Sequence, residues 1–268
     1  MKIPSLSITK AFGSDEVPYL LHGGQEETYR SGDIVLKPVA DESETNWSGE
    51  TFGQPVELDN VRIPNAIRSV RGNWSEDGYC AWSFLEGSVR EGRYAEKVKA
   101  ADSFHALTES FPRPDFIAKR KNVWSVADKM TWGEIPWDVD GELSAFVEPL
   151  RAKLAPIDLP DQVIHGDLSG NFLLHDTLPP AIIDITMYFR PAAFAKAVIL
   201  TDSVWDREPF MERAVFDDVP HLQQLAIRAT LWRILSQSEQ LKDGKDRERA
   251  TLVAKTYADN FAVLFPDA

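Results

Sequence analysis

The chain has 268 residues, 43% of them hydrophobic, which is enough to bury a core in one large domain or two smaller ones. Its net charge is −13, whereas proteins that bind nucleic acid or anionic lipid typically carry an excess of basic residues. A single cysteine excludes an intrachain disulfide, and no apolar run reaches the length of a signal peptide or a membrane span. We therefore predict a cytoplasmic protein with neither nucleic acid nor membrane as a partner, and leave its oligomeric state open.

The first third of the sequence is typical of short antiparallel strands joined by turns. An apolar run, the Gly23-Gly24 turn and a polar run precede the stretch IVLKPV, which predicts a strand over residues 34–39. N-cap and first-turn residues then predict a helix over residues 41–52. Alternating residues predict further strands, the last of them over residues 81–87.

After residue 87 helical periodicity dominates the sequence. The predicted helices cover residues 90–107, 141–154, 192–204, 219–241 and 246–264. This change predicts two regions: residues 1–86, rich in strands with one helix, and residues 87–268, mainly helical with one short hairpin.

Two aspartates follow apolar strands within residues 163–185, where an unpaired charge is costly to bury. One run leads into HGDLSGN with Asp167, and the run AII leads into Asp184. A hairpin over residues 172–183 would bring Asn171 and Asp184 to the same end of two paired strands, just after Asp167. Such hard oxygen ligands suit Mg²⁺, so this segment predicts a magnesium site.

The segment HGDLSGN followed by IIDI resembles the catalytic segment of the aminoglycoside-phosphotransferase-like kinases, relatives of the protein kinases. In that group an H-G-D-x-x-x-x-N segment precedes an aspartate at a second strand end. The sequence looks like a bacterial branch of the group. The resemblance implies an α+β, two-lobed protein-kinase-like fold. Residues 1–86 would form a small antiparallel β-rich nucleotide-binding lobe, and residues 87–268 a larger, mainly α-helical catalytic and substrate lobe.

The resemblance also implies an ATP- and Mg²⁺-dependent phosphotransferase that phosphorylates a hydroxyl of a small molecule. Asp167 would be the catalytic aspartate that orients this hydroxyl and accepts its proton, while Asn171 and Asp184 would hold Mg²⁺ against the phosphates. His165 would fix the loop by hydrogen bonds. Residues 187–191 and the helix over residues 219–241 would shape the acceptor pocket. The acceptor, the pathway and the choice of ATP or GTP stay open.

A nucleotide-binding lobe of this kind also needs a loop close to the phosphates and a connector close to the adenine. The glycines of HGGQ would let the backbone approach a triphosphate, in a loop formed by Gly23, Gly24 and Gln25. The stretch SFLEG would connect the lobes, and its backbone would bind the adenine at Ser83, Phe84 and Leu85.

Lys37 lies within the apolar strand IVLKPV, where its charge needs a partner. The resemblance gives this lysine the nucleotide phosphates as ligand. Glu50 on the following predicted helix is the candidate partner, and Glu44 is the alternative.

One departure from the family pattern keeps other functions open. Asn171 follows Asp167 by four positions, where five are usual, so the loop lacks one residue. This spacing supports the alternative of a kinase-like protein that binds nucleotide with weak or no turnover. A metal-dependent hydrolase using His165, Asp167 and Asp184 is disfavoured because none of the five histidines has a metal-ligand spacing. A plain interaction protein would leave both strand-end aspartates unexplained.

Overall fold

The structure is a computed structural model that describes residues 3–21, 27–56, 58, 60–206 and 212–267. The helices of this part are α1 (Leu6–Ala11), α2 (Glu42–Phe52), α3 (Tyr94–Thr108), α4 (Asp115–Lys119), α5 (Val123–Thr131), α6 (Ser144–Arg151), α7 (Ala192–Asp202), α8 (Leu222–Lys242) and α9 (Arg247–Leu264). Its strands are β1 (Tyr19–Leu20), β2 (Tyr29–Ser31), β3 (Ile34–Pro38), β4 (Ala66–Ile67), β5 (Ser75–Glu76), β6 (Tyr79–Ser83), β7 (Gln162–His165), β8 (Phe172–Leu173), β9 (Ala181–Ile182) and β10 (Met187–Arg190). Among these residues no helix has both the length and the apolar character to cross a membrane.

The chain divides into two compact units, each made of two stretches of sequence. The N-terminal unit comprises Met1–Val89 and Gly170–Asp184, and the C-terminal unit comprises Arg90–Ser169 and Ile185–Ala268. The prediction divided the chain once, after residue 86, and placed the short hairpin in the helical region. In the structure that hairpin belongs to the N-terminal unit.

The N-terminal unit contains an antiparallel sheet with the strand order β1-β2-β3-β6-β4, in which β5 also pairs with β6. Side chains alternate between the two faces of a strand, so Ile34 and Leu36 of β3 share one face. They are buried in a core that also contains Ile8 of α1 and Phe12, which follows that helix. The Lys37 side chain therefore points to the opposite face of β3, away from that apolar core.

The hairpin β8–β9 confirms the predicted strand pair over residues 172–183. Phe172 pairs with Ile182 in its antiparallel register. Two further backbone connections attach the hairpin to the rest of the N-terminal unit. Ser88 and Leu174 exchange hydrogen bonds of 2.9 Å, and the Arg62 carbonyl accepts one of 2.9 Å from the Ile182 N–H. The hairpin is thus held at both strands by segments more than eighty residues earlier in the chain.

Helices surround a two-stranded sheet, β7–β10, in the C-terminal unit. Helix α3 is tied to β7 by the Thr108 hydroxyl, which donates to the Val163 carbonyl at 2.6 Å. On β10, the ring of Tyr188 meets that of Trp232 of α8 edge to face, with centroids 5.2 Å apart. Trp232 is fully buried, so α8 is anchored against the sheet by a large apolar contact. These contacts place the end of β7 beside α8.

Candidate functional site

The loop that carries Asp167 begins where β7 ends, at the buried His165. The Nδ1 atom of His165 accepts a hydrogen bond from the Asp167 N–H at 3.1 Å. The His165 N–H donates in turn to Nε2 of His105 at 3.3 Å. Burial, with a smaller contribution from His165, lowers the pKa of His105 to about 3, so its ring is neutral. Hydrogen bonds between buried groups therefore fix the start of the loop.

Gly166 allows the loop to pass closely over β10. A Cβ atom at this position would lie 2.3 Å from Cδ2 of the Tyr188 ring. Because Tyr188 is itself buried against α8, it has no room to withdraw. The glycine between His165 and Asp167 is therefore required by close packing.

The Asp167 carboxylate faces a cation on α8. Its Oδ1 atom lies 2.6 Å from Nη2 of Arg233, and 39% of the Asp167 side chain is exposed. Burial raises the pKa of Asp167, but the charge and hydrogen bond of Arg233 lower it by more, so the net pKa lies below its ordinary value. Asp167 is thus an ionised acceptor at neutral pH, suited to orienting a hydroxyl. Arg233 was not predicted, since it lies 66 residues away in sequence within an ordinary helical pattern.

Lys37 and Asp184 form an ion pair in the N-terminal unit. The lysine Nζ lies 2.6 Å from Asp184 Oδ1, with 24% and 55% of the two side chains exposed. The predicted pair of Lys37 with Glu50 is not formed. Glu50 instead accepts hydrogen bonds from Arg68 at 2.8 Å and from the Trp74 indole at 2.9 Å, because its face of α2 meets these two donors.

Asn171 and Asp184 lie at one end of the β8–β9 hairpin, as predicted. The Ile183 N–H donates to the Asn171 carbonyl at 2.9 Å, which brings the following Asp184 next to Asn171. Asp184 has φ +52°, a left-handed conformation that costs most residues energy but that aspartate tolerates. Backbone outliers of this kind cluster at functional sites.

An amide and a carboxylate at one hairpin end fit Mg²⁺, which usually takes one or two carboxylates and completes its shell with water and phosphate oxygens. Within the described residues, no three or more His, Cys, Asp and Glu side chains form a cluster able to hold a metal. The donor set therefore suits a metal that arrives with a phosphate ligand rather than an ion caged by protein alone.

The predicted connector has fewer available backbone donors than expected. The Ser83 N–H donates to the Asn65 carbonyl at 2.9 Å, and the Phe84 N–H donates to the Asp33 carbonyl at 2.8 Å. Both donors are used within the N-terminal unit and are not available to an adenine. For Leu85, no backbone N–H hydrogen bond to any described residue is present. Of the three predicted residues, Leu85 alone offers its N–H to a ligand.

No protein-family model and no curated protein matches the sequence. Among solved structures, the chain is similar to a choline/ethanolamine kinase family protein from Mesorhizobium loti, with a TM-score of 0.59 and 18% identity over 97% of this chain and 92% of that one. Choline kinase LicA from Streptococcus pneumoniae gives a TM-score of 0.57 and 14% identity over 92% and 93%. A thermostable mutant of aminoglycoside phosphotransferase APH(4)-Ia, in a ternary complex with AMP-PNP and hygromycin B, gives 0.58 and 15% over 98% of both chains. The chain has the protein-kinase-like fold of these phosphotransferases. This confirms the fold that the sequence resemblance implied.

Two features of this kinase-like chain concern its loops. The predicted phosphate loop of Gly23, Gly24 and Gln25 lies outside the described residues. The shortened segment between Asp167 and Asn171 contains a turn at residues 169–170.

Proposed function

We propose that the protein is an ATP- and Mg²⁺-dependent phosphotransferase that phosphorylates a hydroxyl of a small molecule. The ion pair between Lys37 and Asp184 is the observation that carries this proposal. The two residues are 147 positions apart, and the nucleotide-binding assignment needs both at the same phosphates. Solved structures with this fold include complexes with AMP and AMP-PNP, which supports a nucleotide ligand.

The nucleotide-binding roles follow from the chemistry of the N-terminal unit. When nucleotide binds, Lys37 would exchange the Asp184 carboxylate for phosphate oxygens, and Asp184 with Asn171 would become ligands of Mg²⁺. Mg²⁺, when bound, neutralises charge on the transferring phosphoryl group. The Leu85 N–H is the connector donor available to the adenine.

Asp167 would act on the acceptor. A carboxylate with a lowered pKa is a weak base, so Asp167 serves mainly to align the hydroxyl and takes its proton late in the transfer. This suits phosphoryl transfer, where positioning and charge neutralisation supply most of the rate. Solved structures similar to this chain include kinases and phosphotransferases named for choline, aminoglycosides and macrolides, among them a complex with hygromycin B. This supports a small-molecule acceptor without selecting one.

The test is product formation from MgATP with a panel of amino alcohols, aminoglycosides, macrolides and sugars, compared between the wild type and Asp167→Asn. We expect ADP and phosphorylated acceptor in equal amounts, a loss of at least about 100-fold in Asp167→Asn, and an unchanged thermal shift with MgATP in both proteins. The thermal shift is the control for folding and nucleotide binding.

The shortened spacing from Asp167 to Asn171 favours one second candidate, a kinase-like protein that binds nucleotide with weak or no turnover. A MgATP-dependent thermal shift without product from any acceptor, and without any difference between the wild type and Asp167→Asn, would establish that candidate in place of the enzyme.

A further inference from the structure

Arg233 on α8 makes hydrogen bonds to two aspartates from different elements of the C-terminal unit. Its Nη2 atom lies 2.6 Å from Asp167 Oδ1 in the loop after β7. Its Nε atom donates to Oδ1 of Asp202, the last residue of α7, at 2.9 Å, and Nη2 also donates to Asp202 Oδ2. Asp202 accepts a further hydrogen bond of 3.0 Å from the Tyr257 hydroxyl on α9. One guanidinium therefore connects Asp167 to a carboxylate held by two helices.

Exposure decreases along this chain of contacts. The exposed fraction of the side chain is 39% for Asp167, 17% for Arg233 and 7% for Asp202. Asp202 alone already binds Arg233 through two nitrogens. Such a bidentate pair neutralises the charge of the guanidinium and fixes its orientation. The guanidinium thus has its counter-ion without Asp167. The additional bond instead restrains Oδ1 of the more exposed Asp167 carboxylate.

We propose that Arg233 is a positioning residue for phosphoryl transfer, which holds the Asp167 carboxylate ionised and in one orientation toward the acceptor hydroxyl. Asp202 and Tyr257 support Arg233 in this position. The inference rests on the proposed function, because it assigns Arg233 a part in the reaction of Asp167. Positioning of this kind is effective because a misplacement of about 1 Å in a reacting group costs about 100-fold in rate.

The charges around Asp167 agree with this role. Burial raises the pKa of Asp167, and the charge and hydrogen bond of Arg233, with a smaller contribution from His165, lower it by more. Burial lowers the pKa of Arg233, but the two carboxylates raise it by more, so the guanidinium stays charged throughout the working pH range. Among the described residues, the titratable groups that face Asp167 or Arg233 include His165 on β7, Tyr188 on β10, Asp202 on α7 and Tyr257 on α9.

The experiment compares Arg233→Met and Arg233→Lys with Arg228→Met, measuring kcat and KM against pH. Arg228 is the matched control, since it lies on the same helix, is also largely buried, and hydrogen-bonds Gln224 and the Ala155 carbonyl. We expect Arg233→Met to lower kcat about 100-fold with the KM for ATP unchanged, and to move the acid limb of kcat/KM to higher pH. Arg233→Lys keeps the charge without the planar fork, so it should restore the acid limb while kcat stays about tenfold low. Arg228→Met should keep both kcat and the acid limb.

A titration of the Asp167 carboxyl by ¹³C NMR, assigned with Asp167→Asn, separates this inference from the proposed function. We expect the Asp167 pKa to rise in Arg233→Met and to stay at the wild-type value in Arg228→Met. A raised pKa in a protein that phosphorylates no acceptor contradicts the proposed function and supports the link between Arg233 and Asp167. The inference is overturned if Arg233→Met and Arg228→Met have the same Asp167 pKa and the same acid limb of kcat/KM.

Discussion

Replacing Asp184 separates its weak contribution to the fold from its proposed role in binding Mg²⁺ and nucleotide. The ion pair with Lys37 is short, but about half of the Asp184 side chain is exposed. Such pairs contribute about 1 kcal/mol or less, so Asp184→Asn should lower the free energy of unfolding by no more than that. Asp184→Ala should cost about 1 kcal/mol more, because alanine is strained at φ +52°, and Asp184→Gly should avoid that extra cost.

The Mg²⁺-dependent part of the response to nucleotide should be lost in all three variants. A ligand at 100 times its Kd stabilises a protein by about 2.7 kcal/mol, which is a rise in Tm of roughly 5–10 °C for a chain of this size. The assay is thermal unfolding with ATP in the presence of Mg²⁺ and in the presence of EDTA. In the wild type, we expect ATP to raise Tm more with Mg²⁺ than with EDTA. In the variants, we expect the two rises to be equal.

A full Mg²⁺-dependent shift in Asp184→Asn would refute the metal assignment. A loss of 3 kcal/mol or more in that variant without nucleotide would instead contradict the magnitude assigned to the ion pair. Asp184→Ala and Asp184→Gly both remove the carboxylate, so the difference between their free energies of unfolding measures the strain of a non-glycine residue at this φ angle.

Three further predictions concern the fold around the site. Gly166→Ala should destabilise the C-terminal unit or displace its loop, because the new Cβ would overlap the Tyr188 ring, and urea unfolding with activity measurements will report this. Asp128→Asn should lower the free energy of unfolding by about 3 kcal/mol, because it weakens a buried pair in which Arg190 lies 2.6 Å from the carboxylate; equal urea midpoints would contradict this. His105 has a pKa lowered to about 3, so below its ordinary pKa of about 6.5 the unfolded chain takes up a proton that the folded chain does not. His105→Gln should therefore remove about 1 kcal/mol per pH unit from the loss of stability between pH 6 and pH 4, and an unchanged slope in urea unfolding would show that His105 does not contribute.

Local patterns predicted the long elements of the fold well. The helices α3, α7, α8 and α9 were predicted from their periodicity, with bounds that differ from the structure by a few residues. The short helices α1, α4 and α5 were not predicted, whereas the equally short α6 carries a clear helical repeat of apolar residues and was predicted within residues 141–154. Tertiary contacts, rather than local preference, determine whether such short segments are helical.

In the candidate site, too, local features were predictable and contacts between residues distant in sequence were not. The strand ends and the hairpin made Asn171 and Asp184 predictable, because strand pairing follows a simple register. The partners of the charged groups were not predictable in this way. Lys37 was assigned a glutamate on the next helix, whereas it pairs with Asp184, 147 residues later. Arg233 gave no local signal, since an arginine is ordinary in a helix and its two aspartates lie 31 and 66 residues away.

The route of the chain through the two units has a consequence for biosynthesis. When the first 89 residues have left the ribosome, the backbone groups of Ser88 and Arg62 still lack the partners that β8 and β9 supply. Unpaired backbone groups are costly to bury, so these two segments cannot be completed until residue 184 has been synthesised. By then residues 90–169 have also emerged, and the backbone groups of these two segments stay without their hairpin partners throughout. We therefore expect the N-terminal unit to complete its fold only after residue 184 has emerged, and a fragment ending at residue 89 to aggregate.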